Sequence, residues 1–273
     1  MAVFRLSLRR WVFVLGSLAT LVVATELQAQ RRFVNSRYAQ ADDFDGGFQF
    51  CRVPFSGGSG FGSSWRVDFP RADINLSIRL SELTKTRVSR TAGGEPNHLV
   101  VTLDSPELFN CPFIMMTEVG SVSFSDEEAK RLRLYLQKGG FLWADDFWGE
   151  SAWEWWAEQF NEVLPSREYQ IVDIGPSHPL FRAQFFIEKA PQIASINYWY
   201  GSGGDTSERG ADSAEVHTRG VFDRNGNLMV LMTHNTDFGD SFEREGDDPT
   251  YFLNFSVPGY AFGVNTLLYA MTH

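Results

Sequence analysis

Apolar residues in this chain fall into two rhythms. Short continuous runs bounded by turn residues, His98 to Leu103 and Pro112 to Thr117, predict strands buried on both faces of a parallel sheet. Between and beyond them the spacing is helical. Leu76, Leu80 and Leu83 predict a helix over 72–86, and Ala129, Leu132, Tyr135 and Leu136 line one face of a helix over 125–138. Ser125 and Glu128 give that second helix a capping box, with Asp126 and Glu127 complementing its N-terminus. Gly139-Gly140 stops it, and Phe141-Leu142-Trp143-Ala144 leads straight into a strand that ends at Asp145-Asp146, which completes a βαβ crossover. A further helix carries Trp153, Trp156, Ala157, Phe160 and Leu164 and stops at Pro165.

Later elements are less regular. Gln170 to Ile174 reads as a strand, Val216–Phe222 and Leu228–Thr233 as a hairpin turning at Asn225-Gly226, and Gly259 to Met271 as a closing helix. Phe33 to Tyr38 is strand-like, and the polar, glycine-rich sequence from there to Trp65, including Ser56 to Gly62, reads as loop without a phosphate-binding fingerprint. Strands alternating with helices predict an α/β domain built on a mainly parallel sheet covered on both faces, a three-layer sandwich over residues 30–273.

The first thirty residues set the expected compartment. Arg5, Arg9 and Arg10 precede an apolar run from Trp11 to Ala24, and Ala29 is a small residue at the end of the region, the pattern of a signal peptide over residues 1–29. The run is shorter than the roughly twenty residues a bilayer span needs, so cleavage is expected, with an N-terminal anchor as the alternative. The mature part is expected in the periplasm or secreted. Cys51 and Cys111 read either as two unrelated thiols or as a single disulfide in an oxidising compartment.

A net charge of −10, from 24 Lys and Arg against 34 Asp and Glu, argues against a nucleic-acid partner. In an open α/β sheet ligands bind beyond the carboxyl ends of the strands, so the polar residues there are the candidates for a ligand site. They are Glu118, Asp145 and Asp146, His178 on the loop after the weaker strand, and His234, Asn235 and Asp237. Carboxylates converging with a histidine could take a divalent cation or divide acid and base roles. His217, inside a strand, reads as structural. The acidic run Asp237, Asp240, Glu243, Glu245, Asp247, Asp248 lacks the spacing of a twelve-residue calcium loop and reads as a solvated loop. Tyr198-Trp199-Tyr200 and Trp148 read as core or edge packing, with a sugar-stacking platform as the alternative. No G-x-S-x-G elbow exists, and Cys111 precedes a strand where a nucleophile would follow one.

The segments Leu103 to Phe109, Phe124 to Glu128, Gly139 to Asp146, Met232 to Asp237 and Gly263-Val264-Asn265 resemble the bacterial family called domain of unknown function 4159, over about Phe33 to Thr272. The resemblance implies a class I glutamine amidotransferase-like, flavodoxin-like sandwich. It also implies an exported or membrane-tethered protein working beside MoxR-type ATPases and von Willebrand factor A-like proteins. The elbow cysteine of true amidotransferases is missing, so glutamine hydrolysis is not implied. Asp145, Asp146, Asn235 and Asp237 match motif positions of that family without an implied role. Together these readings predict a noncatalytic module that binds a small ligand or an envelope protein, the alternative being a metal-assisted hydrolase acting on an envelope carbohydrate.

Overall fold

Phe141 and Trp143 of one strand bury themselves on one face of a sheet while Leu142 and Ala144 bury themselves on the other, and this alternation organises the whole molecule. The computed structural model describes residues 37–57 and 65–273, and every element named here belongs to the unit Tyr38–His273. Nine strands occur among the described residues: β1 (Phe50–Arg52), β2 (Ser56–Gly57), β3 (His98–Val100), β4 (Phe113–Thr117), β5 (Val122–Ser123), β6 (Phe141–Phe147), β7 (Val172–Asp173), β8 (His217–Phe222) and β9 (Leu228–His234). Seven form one sheet in the order β3-β1-β4-β6-β9-β8-β7, and β2 pairs with β5 apart from it. The five strands from β3 to β9 are mutually parallel, and β8 runs antiparallel to both β9 and β7.

Helices cover both faces. On one lie α2 (Asp126–Gln137) and α3 (Glu150–Val163), whose Leu132, Leu136, Trp156 and Phe160 pack with Ile114, Met116, Leu142 and Met232 of the sheet. On the other lies α1 (Arg71–Leu83). It shares that face with a C-terminal run made of α6 (Pro249–Tyr251), a π-helical turn (Phe252–Ser256) and α7 (Val257–Thr272). Leu76, Leu80, Phe262 and Leu267 pack there with Phe50, Phe113, Trp143 and Leu231. This is the expected three-layer α/β sandwich, flavodoxin-like in layout. The capping box of α2 is formed as its sequence requires, Ser125 Oγ accepting from the Glu128 N–H at 3.3 Å and Glu128 Oε2 accepting from the Ser125 N–H at 2.8 Å. Two short helices complete the chain, α4 (Ile196–Ser202) and α5 (Phe238–Glu243).

Three expectations change. The stretch before Trp65 is not loop throughout, because Phe50–Arg52 is an interior strand of the main sheet. Its charged member is accommodated by an ion pair: Arg52 and Asp73 of α1 are both fully buried, Arg52 Nη2 and Nε reach the Asp73 carboxylate, and Nη1 donates to Thr117 Oγ1 at 3.0 Å. Second, β6 does not end at Asp145-Asp146. It continues through Asp145 and Asp146 to Phe147 with a register shift against β9 between Ala144 and Phe147, one extra residue bulging from the ladder. Third, the closing helix begins earlier, through the π-helical turn. The two cysteines, whose pairing the sequence leaves open, form a disulfide joining β1 to the segment before β4, with Cα atoms 6.3 Å apart. The export pattern of residues 1–29, the run Phe33 to Ser36 and the glycines of 58–62 lie outside the described residues. Among the described residues no helix is long and apolar enough to cross a membrane.

Candidate functional site

The bulge in β6 decides where the acids go. An extra residue in one strand breaks the two-residue alternation, and the break falls at Asp145 and Asp146. Asp146 takes φ 56°, in the left-handed region, and at the ends of the neighbouring strands Glu118 (φ 53°) and Asn235 (φ 64°) do the same. Acidic and amide side chains tolerate this conformation better than most because they can hydrogen-bond locally.

Asp145 points toward β9 and α5. It is fully buried and takes the hydroxyl of Thr233 on Oδ1 and the backbone N–H groups of Phe238 (2.9 Å) and Gly239 (3.3 Å) on Oδ2. Thr233 in turn accepts from Trp143 Nε1 at 2.8 Å. Burial pushes the Asp145 carboxyl up to about 7 against the pull of these donors. Its role is to tie the start of α5 to the sheet.

Asp146 instead joins a cluster of acids. Trp148 Nε1 donates to its Oδ1 at 2.9 Å. One carboxylate oxygen each from Asp68, Asp146 and Asp237 lie within 4.8 Å of one another, and all three residues are buried. Asp237 caps α5, its Oδ1 accepting from the Asp240 N–H at 2.8 Å. Asp68 comes from the turn before α1 with φ 62°, and its Oδ2 is buried without a hydrogen-bond partner among the described residues. Burial raises all three carboxyls well above the usual carboxylate range. After burial the next cause is Glu118 for Asp146, Asp146 for Asp237, and Asp240 for Asp68. A second grouping, Asp68 with Asp240 and Glu243, shares the Asp68 carboxylate. There Arg244 supplies compensating charge, its Nε lying 2.8 Å from Glu243 and 3.5 Å from Asp240, while Ile196 N–H and Tyr251 OH donate to Asp240 Oδ2 at 2.7 and 2.9 Å.

The structure thus sorts the residues expected at the strand ends. Asp146 and Asp237 converge, and half-buried Glu118 borders them through its charge. Asp145 is beside them but committed to α5. Asn235 is structural, its Oδ1 accepting from the Gly149 N–H and its Nδ2 donating to Glu215 O, both at 2.8 Å. His234 is likewise committed. Its ring is stacked on Phe147, with Nε2 on the Gly149 carbonyl at 3.0 Å and Nδ1 facing Arg219 at 3.4 Å. Burial holds this imidazole down at about 4, so it is a neutral packing group at pH 7. His217 stacks on it, as a structural residue should.

His178 is misplaced by the sequence reading. The chain turns back after β7, and His178 caps a 3₁₀ turn through Nδ1 while packing on Phe222 and Tyr269. Tyr269 OH accepts from the N–H of Leu228, the first residue of β9, so His178 sits at the opposite end of the sheet from the acids. The solvated-loop reading of the acidic run is also corrected, since Asp237 and Asp240 are buried at the start of α5. Trp199 packs against Tyr251 and Phe255, which is the core-edge reading. A surface cleft of about 350 Å³ lies beside β7 and β8, lined in part by Lys189, Glu215 and His217, and contains none of the clustered acids.

Sequence reasoning missed Asp68, Asp240 and Glu243 as members of the cluster, and Arg52 with Asp73 beneath it. Comparison with curated proteins finds no match. The model of the family described as domain of unknown function (DUF4159) matches residues 49–271, and the chain belongs to that family.

Proposed function

We propose that this chain is an exported α/β domain of the cell envelope that binds a positively charged ligand, without turning it over, at the carboxyl ends of β6 and β9. The observation that carries this reading is the convergence of the buried Asp68, Asp146 and Asp237 carboxylates. Arg52, the nearby buried cation, is already engaged by Asp73 and Thr117. Burying several like charges is costly, and a cationic partner removes the cost. The absence of turnover rests on the commitments of the neighbouring groups: both candidate histidines are held in packing contacts, and Asp145 is saturated with donors. Export rests on the N-terminal sequence pattern and on the Cys51–Cys111 disulfide, a bond that persists in oxidising compartments. The ligand is either a small cation or a basic group presented by an envelope protein, with the von Willebrand factor A-like or MoxR-associated membrane proteins implied by the family resemblance as the candidates.

Thermal unfolding of the purified protein with divalent cations, spermidine, arginine amide, neutral sugars and inorganic phosphate tests the reading, because a ligand of the folded state raises the midpoint by mass action. At least one positively charged probe should stabilise the wild type and lose its effect in Asp146→Asn. Stabilisation by sugars or phosphate alone would overturn the proposal. A second reading, a metal-assisted hydrolase acting on an envelope carbohydrate, draws on one observation: Glu118 and Asp146 sit close enough for the charge of one to raise the carboxyl of the other, which is how acid and base roles are divided. Release of reducing ends from envelope polysaccharide, lost in Glu118→Gln, would favour it.

A further inference from the structure

We infer that the occupant of the strand-end site is a divalent metal cation held by one carboxylate oxygen each from Asp68, Asp146 and Asp237, an inference that rests on the reading above that the site takes positive charge. The spacing supports it first. Oxygens bound to one hard cation at about 2.3–2.6 Å can be no more than roughly 5 Å apart, and the three ligand atoms here all lie within 4.8 Å of one another. They can share an ion without movement of the backbone.

The second observation is independent of that distance. Among the described residues Asp68 Oδ2 is buried with no donor, in a residue only 7% exposed, although a buried carboxylate oxygen ordinarily finds one or more. It lies directly over Gly239, where a Cβ would overlap it, so the backbone has been thinned to admit the oxygen while no group among the described residues completes it. The other two ligands are each oriented through one oxygen by a fixed donor, Asp146 by the Trp148 indole and Asp237 by the Asp240 N–H. That is how outer hydrogen bonds aim carboxylates at a metal.

Size and softness narrow the occupant. Asp68, Asp146 and Asp237 are 7%, 8% and 3% exposed, which leaves entry for an ion but not for the stem of a lysine or a polyamine. The donors are all carboxylate oxygens, with both candidate histidines engaged elsewhere and both cysteines in a disulfide. Such a set suits Ca²⁺, Mg²⁺ or Mn²⁺ rather than Zn²⁺ or Cu²⁺. The neighbouring grouping of Asp68 with Asp240 and Glu243 already holds a cation, since Arg244 pairs with its other two members.

The test is a calorimetric and thermal titration of the full chain, stripped with chelator, against CaCl₂, MgCl₂ and MnCl₂, with spermidine and arginine amide as organic cations. One equivalent of metal should bind, and at a hundredfold excess over Kd the unfolding midpoint should rise by about 5–10 °C. Asp68→Asn should weaken binding at least tenfold while leaving the metal-free midpoint no lower than that of the wild type, since it removes an unpaired buried charge. Asp104→Asn, at an exposed position, should bind as the wild type does. If Asp68→Asn fails to fold, Asp146→Asn is read in its place, and the Mn²⁺ stoichiometry of the wild type by paramagnetic resonance still decides. Metals that leave the midpoint where it was, or an Asp68→Asn variant that binds as tightly as the wild type, overturn the inference. Stabilisation by organic cations in the absence of any metal response would sink the metal and keep the charged-ligand reading. No response to either class would sink both.

Discussion

Arg52 is where a charged residue has been placed in an interior strand, and its removal offers the sharpest energetic test of the structure. Both Arg52 and Asp73 are fully buried, and the guanidinium contacts Asp73 through Nη2 and Nε and Thr117 through Nη1. Arg52→Met keeps much of the volume and strands the Asp73 carboxylate in the core. Breaking a buried pair from one side costs about 3–5 kcal/mol, because the partner charge is left uncompensated. For a domain of this size that corresponds to a fall in midpoint of about 6–20 °C. Asp73→Ala should cost a similar amount by stranding Arg52. The double variant Arg52→Met/Asp73→Ala leaves no buried charge behind, so its loss should fall short of the sum of the single losses by about 2–3 kcal/mol. Urea denaturation of the four proteins, with the slopes checked for equality, measures the cycle. Additive losses would refute the pairing, since two side chains that do not share an ion pair have no reason to couple.

Three other outcomes follow from the geometry. Because folding holds His234 at about 4 while an unfolded histidine titrates near 6.5, its neutral form contributes stability in full above about pH 6.5 and loses it progressively as pH falls toward 4; the loss is up to about 3 kcal/mol. Subtracting the pH profile of His234→Gln from that of the wild type isolates this contribution, and a difference that stays flat or shrinks as pH rises from about 4 to about 6.5 would contradict it. Asp145→Ala leaves the Thr233 hydroxyl and two N–H groups of α5 without their acceptor and should cost about 2–4 kcal/mol, whereas Asp145→Asn, which keeps an acceptor oxygen, should cost less than half as much by chemical denaturation. Ser125→Ala should cost about 1 kcal/mol through loss of the α2 cap, with little effect on any ligand response.

The layers and their order were legible because their signals are local. The α2 helix carries its capping box and its stop within 125–140, and the buried parallel strands β4 and β6 are apolar enough on both faces to be read as continuous runs. β1 was not legible, because it is three residues long and one of them is an arginine whose partner lies 21 positions away on α1. The site was half legible. Asp146 and Asp237 follow from the rule that ligands sit beyond strand carboxyl ends, but Asp68 sits in the turn leading into α1, and only its place just ahead of α1 hints at a role. His178 failed for the opposite reason: β7 is two residues long, so the chain after it is free to turn back to the far end of the sheet. Asp237 and Asp240 look like part of a hydrated acidic run because Glu245 and Asp247 follow them, yet Phe238 between them and Phe242 after them are fully buried and draw the first turn of α5 inward.

The extra residue in β6 has a consequence for how the sheet is encoded. Up to Ala144 the strand sends every second side chain to the α2 and α3 layer, and if the same residues continued in regular alternation Asp146 would enter the apolar core and Phe147 the opposite layer. With it, Phe147 returns to the same layer as Ala144, stacked against Trp153 and His234, and the acid is expelled at the point where the phase slips. The acidic pocket therefore occupies a frame shift in the inside-outside code of the strand. Deleting Asp146 would restore regular alternation with Phe147 still in the layer of Ala144, so the ladder would survive and the pocket-side carboxylate alone would be lost.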